Sequence, residues 1–340
     1  MVGPVRRAGV AVLVAALAVA AGCGEREEPS GDGSQPERFD LALDWFPNPD
    51  HAGIYAALDR GYFNEAGLDV QPQIPSDPAA PIKQVAAGRV DLAVSYEPEV
   101  LLAREQGLDV IAVGGLVAEP LTSVISLGKD AVRDGRGLDG KRVATAGIPY
   151  QAAYLRTILE EAGLNEDDVE QVDVGLNLLA PLIAGKVDAT LGMFWNIEGA
   201  ELARRGDDPT ILPVDELGIP TYDELVLVAS GERVEEDPEA IRLFLAALER
   251  GTRGAVDEPG AATESLLQAN EDLDPKLTRV QVAKTLPVLL PRPAGRDYGF
   301  MDPDEWREFA GFMVDEDQLD ALPAPDDVLT NELLPGKIPE

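Results

Sequence analysis

The residues best suited to chemistry lie in one stretch, Leu43-Asp44-Trp45-Phe46-Pro47-Asn48-Pro49-Asp50-His51-Ala52-Gly53-Ile54-Tyr55. It brings Trp45 and Phe46 together with Pro47 and Pro49, Asn48, and the only histidine of the 340-residue chain. Prolines fix φ and stiffen the loop around Trp45 and Asn48. A flat aromatic face beside an amide and an imidazole can recognise a small planar molecule. The same composition suits a stiff surface turn whose Trp45 and Phe46 plug the core, so the place of the loop in the fold decides between the two.

Few catalytic constellations are available. With one histidine and one cysteine, Cys23, the chain has no C-x-x-C, H-E-x-x-H, G-x-S-x-G or G-x-x-x-x-G-K-[ST] motif and no intrachain disulfide. Its 62 acidic residues make any pairing of carboxylates uninformative. Gly135-Arg136-Gly137-Leu138-Asp139-Gly140 satisfies G-x-G-x-x-G, but dinucleotide binding needs a strand before it and a helix after it, and here a strand follows. It reads as a turn. No metal, cofactor or enzymatic activity is expected. The formal charge of −34 repels phosphates, which excludes nucleic acid as a partner.

The elements that position the loop begin after a leader. Arg6 and Arg7 form a basic n-region, Ala8 to Ala21 is apolar, and Ala20, Ala21 and Gly22 precede Cys23. The apolar stretch is shorter than the about 20 residues of a membrane helix, so residues 1–22 read as a cleaved secretion signal. Small residues before the cysteine resemble a bacterial lipobox, with Ala20 in place of the usual leucine, and make Cys23 the expected lipidation site. Residues 24–38 hold no aliphatic side chain and read, with Cys23, as a lipid-anchored flexible tether. Loss of the signal removes two arginines and no acids, taking the formal charge from −34 to −36. The expected location is extracytoplasmic, held to the bacterial membrane by lipid alone, and the expected state is monomeric.

From Phe39 the hydrophobic periodicity gives strand, loop, helix, strand, helix, strand: Phe39 to Leu43, the opening loop, a helix from Ala52, Asp69 to Ile74, a helix ending at Ala87-Gly88, and Val90 to Ser95. This βαβαβ order predicts a parallel sheet. It recurs with recognisable words. Glu161-Ala162-Gly163-Leu164 repeats Glu65-Ala66-Gly67-Leu68, and Ala184-Gly185-Lys186-Val187-Asp188 repeats Ala87-Gly88-Arg89-Val90-Asp91. Two α/β lobes of one design follow. Glu224 to Ser230 reads as the strand returning to lobe one, and Ser123 to Leu127 as the strand leaving it. Asp237-Pro238, Asp274-Pro275 and Asp302-Pro303 each start a packing helix, with a capping carboxylate ahead of proline.

In open α/β sheets ligands sit beyond the carboxyl ends of the strands. There the chain places Trp45, Asn48 and His51 after the first strand, and Ser95, Tyr96 and Glu97 after the third. Lobe two answers with Ile148, Pro149 and Tyr150 after its first strand and Trp195, Asn196 and Glu198 after its third. Trp195 suits ligand or core equally; Tyr55, Tyr154 and Phe194 are assigned to the core. A planar nitrogen heterocycle or small amine is the expected ligand.

Signal, lipobox, tether and two lobes together resemble a solute-binding lipoprotein of an ABC importer. Asp44-Trp45-Phe46-Pro47-Asn48-Pro49-Asp50-His51, Gly61-Tyr62-Phe63, Glu65-Ala66-Gly67-Leu68-Asp69-Val70, Ala86-Ala87-Gly88-Arg89-Val90-Asp91 and Thr330-Asn331-Glu332-Leu333-Leu334-Pro335 are similar to the thiamine-pyrimidine-precursor binding family, which includes eukaryotic thiamine-pyrimidine synthases. The resemblance implies a type 2 periplasmic-binding-protein fold: two α/β lobes with a ligand cleft and two hinge crossovers, lobe one from 39–125 plus 226–340 and lobe two from 126–225. It implies an ABC permease and its ATPase as partners. It also implies that Trp45, Asn48 and His51 lie near a pyrimidine, with Tyr96, Trp195 and Glu198 contributing from elsewhere in the cleft. Ile148-Pro149-Tyr150 departs from the serine-rich loop of pyrimidine binders, and the synthases' cysteine-rich motif is missing. The expected function is a receptor for a thiamine-related aminopyrimidine. Riboflavin, a sulfonate or another small solute is the alternative ligand, with Arg156 the main cation on the cleft side for an anion. A secreted enzyme using His51 as general base and a structural lipoprotein with a vestigial cleft are the alternatives of other classes.

Overall fold

The computed structural model describes residues 36–129, 131–291 and 295–336. The expected signal, Cys23 and most of the tether lie outside the described residues. Glu37 and Arg38, expected in the tether, already form a strand because they pair in parallel with Leu68 and Asp69.

The chain runs β1 (Glu37–Ala42), α1 (Ala52–Asp59), α2 (Tyr62–Glu65), β2 (Leu68–Gln73), α3 (Ala80–Ala86), β3 (Leu92–Ser95), α4 (Glu97–Glu105) and β4 (Val110–Val117). It crosses at 118–121 into β5 (Thr122–Leu127), β6 (Arg142–Thr145), α5 (Pro149–Glu161), β7 (Glu170–Asp173), α6 (Leu179–Ile183), β8 (Ala189–Phe194), α7 (Glu198–Arg205) and β9 (Pro209–Pro213). A return through 218–224 leads to β10 (Leu225–Ser230), α8 (Gly231–Glu236), α9 (Pro238–Asp257), α10 (Pro259–Ala269), α11 (Pro275–Thr285), α12 (Pro303–Asp315) and α13 (Pro325–Val328). Among the described residues no helix is long and apolar enough to cross a membrane.

The strands form two sheets, ordered β2-β1-β3-β10-β4 and β7-β6-β8-β5-β9. The strands of each βαβαβ run are parallel, as the element order predicts. Each sheet is nonetheless mixed, because β10 runs antiparallel to β3 and β4, and β5 antiparallel to β8 and β9. A strand arriving from the other lobe enters at the end where the parallel strands finish, so it must run the opposite way. All of β5 belongs to the second sheet. The first crossover therefore precedes the 125/126 division expected from the sequence, and β10 begins one residue ahead of the second.

The repeated words make equivalent contacts in the two lobes. Gly67 and Gly163 take φ of +82° and +73°, and Gly88 and Gly185 take +62° and +63°, in the left-handed region where a side chain is strained. Asp91 accepts a hydrogen bond from the Asp40 backbone N–H at 2.7 Å, and Asp188 accepts one from the Arg142 N–H at 2.9 Å. Each ties the loop before the third strand to the first strand. The sequence repeats because the turn and the tie repeat.

The three Asp-Pro signals cap α9, α11 and α12, where Asp237, Asp274 and Asp302 accept from the N–H groups of Ala240, Leu277 and Asp304. On α9, Ile241, Phe244, Leu245 and Leu248 are buried, and Phe244 stacks on Phe39 and Phe63 with ring centroids 5.2 and 4.9 Å away. The G-x-G-x-x-G stretch is a 3-10 turn capped by Asp134 and followed by β6, so it lacks the helix that a pyrophosphate would need.

The crossovers are held to each other by one buried carboxyl. Glu224 accepts from the N–H groups of Leu121 and Thr122 at 2.7 Å each, from the Thr122 hydroxyl at 2.8 Å and from the Tyr222 hydroxyl at 2.9 Å.

Candidate functional site

The carboxyl ends of four strands meet between the lobes around a pocket of about 400 Å³. Its walls approach closely, so the space is a narrow slot. Asp44, Trp45 and Asn48 line it from the loop after β1, and Tyr96 from the turn after β3. Lobe two supplies Ala146 and Ile148 after β6, Tyr150 and Gln151 from the first turn of α5, Gly192 and Phe194 from β8, and Ile197 and Glu198 where α7 starts. Among the described residues no lysine or arginine lines it.

Asp44 organises the first wall. It is buried, and its Oδ1 lies 2.8 Å from Nε2 of His51 while its Oδ2 accepts the Tyr96 hydroxyl at 2.9 Å. His51 Nδ1 accepts the Asn48 backbone N–H at 3.3 Å, which places the ring proton on Nε2 as donor to Asp44. The Asn48 side chain accepts from the Asp50 N–H at 2.8 Å and donates to the Phe46 carbonyl at 3.1 Å, so it shapes the turn while edging the pocket. The Tyr96 ring meets Tyr150 of the facing lobe at 5.7 Å between centroids.

On the opposite wall Gln151 accepts the Ala146 N–H at 2.8 Å. Gly192, at φ +118°, lies where a Cβ would overlap the Gln151 amide, so glycine is what lets Gln151 reach the wall. Glu198 accepts the Phe194 N–H at 3.0 Å. The buried Tyr150 hydroxyl has no hydrogen-bond partner among the described residues.

The surroundings are rich in buried acids, of which Glu99 also feels the opposing charge of Lys83. Burial pushes Glu198 up to about 7, against the opposing hydrogen bond from Phe194. Burial likewise carries Glu99, bonded to the Ser95 hydroxyl, to about 7, and Asp223, which accepts from the Trp306 indole, to about 7. Glu97 is raised by burial and then by the charge of Asp223. Holding a carboxyl neutral at pH 7 against an ordinary pKa near 4 costs about 4 kcal/mol. Burying it ionised and unpaired costs more. Glu97 and Glu99 in the first turn of α4 and Glu198 in that of α7 gain a partial offset from the helix N-termini.

A family model described as NMT1/THI5 like matches residues 48–262. The chain belongs to the NMT1/THI5-like family. It is 33% identical over 311 residues to the formylaminopyrimidine-binding protein of Halalkalibacterium halodurans, covering 91% of this chain and 93% of that one. It is 29% identical over 239 residues to the 4-amino-5-hydroxymethyl-2-methylpyrimidine phosphate synthase of Aspergillus parasiticus, covering 67% and 69% of the two chains. Among solved structures, the alkanesulfonate-binding protein SsuA from Xanthomonas axonopodis pv. citri superposes with a TM-score of 0.69 at 16% identity, over 88% of this chain and 99% of that one. A Candida albicans protein described as having the generic periplasmic binding protein fold gives a TM-score of 0.55 at 16% identity, over 81% and 94%. The type 2 periplasmic-binding-protein fold is thus the fold of this chain.

In this NMT1/THI5-like chain, five of the residues singled out in the sequence, Trp45, Asn48, Tyr96, Tyr150 and Glu198, line the pocket. Five expected residues lie behind or beside it. His51 is fully buried with both ring nitrogens engaged, so it supports Asp44. Ser95 and Glu97 point inward, Ser95 to Glu99 and Glu97 to the Asp223 N–H at 2.7 Å. Trp195 packs on the core and donates its indole N–H to the Pro120 carbonyl at 3.3 Å. Asn196 is buried against Asp50 and Thr285. Arg156 donates to the Glu316 carbonyl and does not line the pocket. Ala146, Gln151, Gly192 and Ile197 join the wall without having been singled out, Asp44 does so after being named only as part of the opening stretch, and Phe194, assigned to the core, does both jobs. Gln151 adjoins the predicted Tyr150, which is the only sequence signal it gives, whereas Asp44 heads the motif that carries the family resemblance.

Proposed function

We propose that this chain is an extracytoplasmic receptor that captures a neutral or cationic aminopyrimidine related to thiamine and delivers it to an ABC permease and its ATPase. The observation that carries the reading is the interlobe slot, walled by Trp45, Tyr96, Tyr150 and Phe194 and furnished with Asp44, Gln151 and Glu198 but, among the described residues, no cation. Its aromatic walls and narrow shape favour a flat ligand over a bulky one. A carboxyl and an amide can pair with the ring nitrogens and exocyclic amine of an aminopyrimidine, and the Tyr150 hydroxyl beside Gln151 offers a further polar handle. Alkanesulfonate, nitrate or a phosphate ester would meet buried acids and no compensating charge. The name of the relative from Halalkalibacterium halodurans supports the same ligand class. The His51 geometry disfavours a general-base role, since both ring nitrogens are occupied.

The proposal includes secretion by residues 1–22 and lipid attachment at Cys23. Incorporation of labelled fatty acid, lost in C23A, is the expected outcome. For the ligand, formylaminopyrimidine should raise the melting temperature of the purified protein in a thermal-shift titration. No shift at saturating concentration would sink the assignment, and formation of a pyrimidine phosphate by the protein would favour the synthase reading instead.

A further inference from the structure

We propose that Asp50 and Asn196 form a proton-dependent latch across the cleft, Asp50 donating a carboxylic acid O–H to the Asn196 carbonyl while Asn196 donates N–H to the other Asp50 oxygen. Asp50 belongs to the 3-10 turn after β1 in lobe one, and Asn196 to the turn after β8 in lobe two. Both are buried, Asp50 at 3% exposure and Asn196 at 0%. The Asn196 amide donates to Asp50 Oδ1 at 2.7 Å and to the Thr285 hydroxyl at 2.8 Å, which uses both of its N–H bonds. Two buried oxygens then remain without partners among the described residues, Asp50 Oδ2 and Asn196 Oδ1. Each is an acceptor, and two acceptors cannot satisfy each other. One proton on Asp50 satisfies both and closes the ring of two hydrogen bonds that a carboxylic acid forms with an amide.

The surroundings favour that proton. The charges that Asp50 faces are Asp44, Glu198 and Glu224, all acids. His51, its neighbour in the chain, is committed to Asp44. On α11, which packs on this turn, Lys276, Arg279 and Lys284 are exposed, and Thr285 supplies the contact. Burial and these acids hold the Asp50 carboxyl well above its ordinary range. Separation of the lobes removes Asn196 and admits water, so the proton leaves to solvent; closure takes one up. Closure is therefore strengthened as pH falls and weakened as it rises. The latch needs no particular ligand, and its link to capture rests on the receptor reading.

Infrared difference spectra of protein labelled with carbon-13 at the aspartate carboxyls, wild type minus D50N at pH 7, read the proton directly. The expected result is a neutral carboxylic-acid carbonyl band present only in wild type; a carboxylate band in its place overturns the proposal. In N196A the acid band should shift because its acceptor is gone, and an unshifted band overturns the pairing. Calorimetry with formylaminopyrimidine in buffers of different ionisation enthalpy should show proton uptake on binding that D50N loses. Equal uptake by the two proteins contradicts the latch, whereas absence of binding heat in wild type refutes the ligand and leaves the spectra to decide the latch.

Discussion

Asp44 shows how a wall residue is made from the interior outward. Its two oxygens take the His51 and Tyr96 protons, so its position is set by groups a ligand never touches. In D44N one oxygen becomes an N–H₂ group that faces a donor, and the expected cost is about 1–3 kcal/mol of stability together with a clear loss of pyrimidine affinity. Trp45 is half-buried and lines the slot, so W45A should weaken binding about tenfold, the loss of a stacked face worth about 1 kcal/mol or more. Calorimetry and denaturant unfolding separate the two effects. The placement of Trp45, Tyr96 and Glu198 was legible because the ends of strands are. The inward turn of His51, Ser95 and Asn196 was not: a polar residue at a strand end has the same spelling whether it meets ligand or a buried partner.

Among the elements, local chemistry made the capped helices and repeated turns readable, and close packing hid one strand. β4 carries Gly114-Gly115 in its middle, which weakens a strand signal. Those glycines leave room for Leu245 of α9 and for Met301, whose side chains lie 3.1 and 3.5 Å from where a Cβ would stand. The approach of α1 to α9 is similar: a Cβ on Gly251 would overlap the Gly53 carbonyl and Ala57. G251A should therefore destabilise the fold by about 1–3 kcal/mol through overpacking. D237A, which removes the α9 cap, should cost about 1 kcal/mol. Urea unfolding of both variants checks the order, and a larger loss in D237A would contradict the packing argument.

For the whole molecule, charge is the property most visible in the sequence and its distribution the least. The formal charge of −34 shows nothing of the acids gathered between the lobes. Glu99, Glu198 and Asp223 hold protons up to about 7 when folded, whereas in the unfolded chain they release them near 4. Between those values the folded state binds more protons, so stability rises as pH falls from about 8 toward 5. Melting temperatures across that range should show the rise, and a fall would mean that the acids are ionised and paired. The central claim is that the slot takes an aminopyrimidine and refuses anions. Calorimetric titration with formylaminopyrimidine, 4-amino-5-hydroxymethyl-2-methylpyrimidine phosphate and an alkanesulfonate tests it most directly. Saturable binding of formylaminopyrimidine alone is the predicted result; preferential binding of either anion would contradict it.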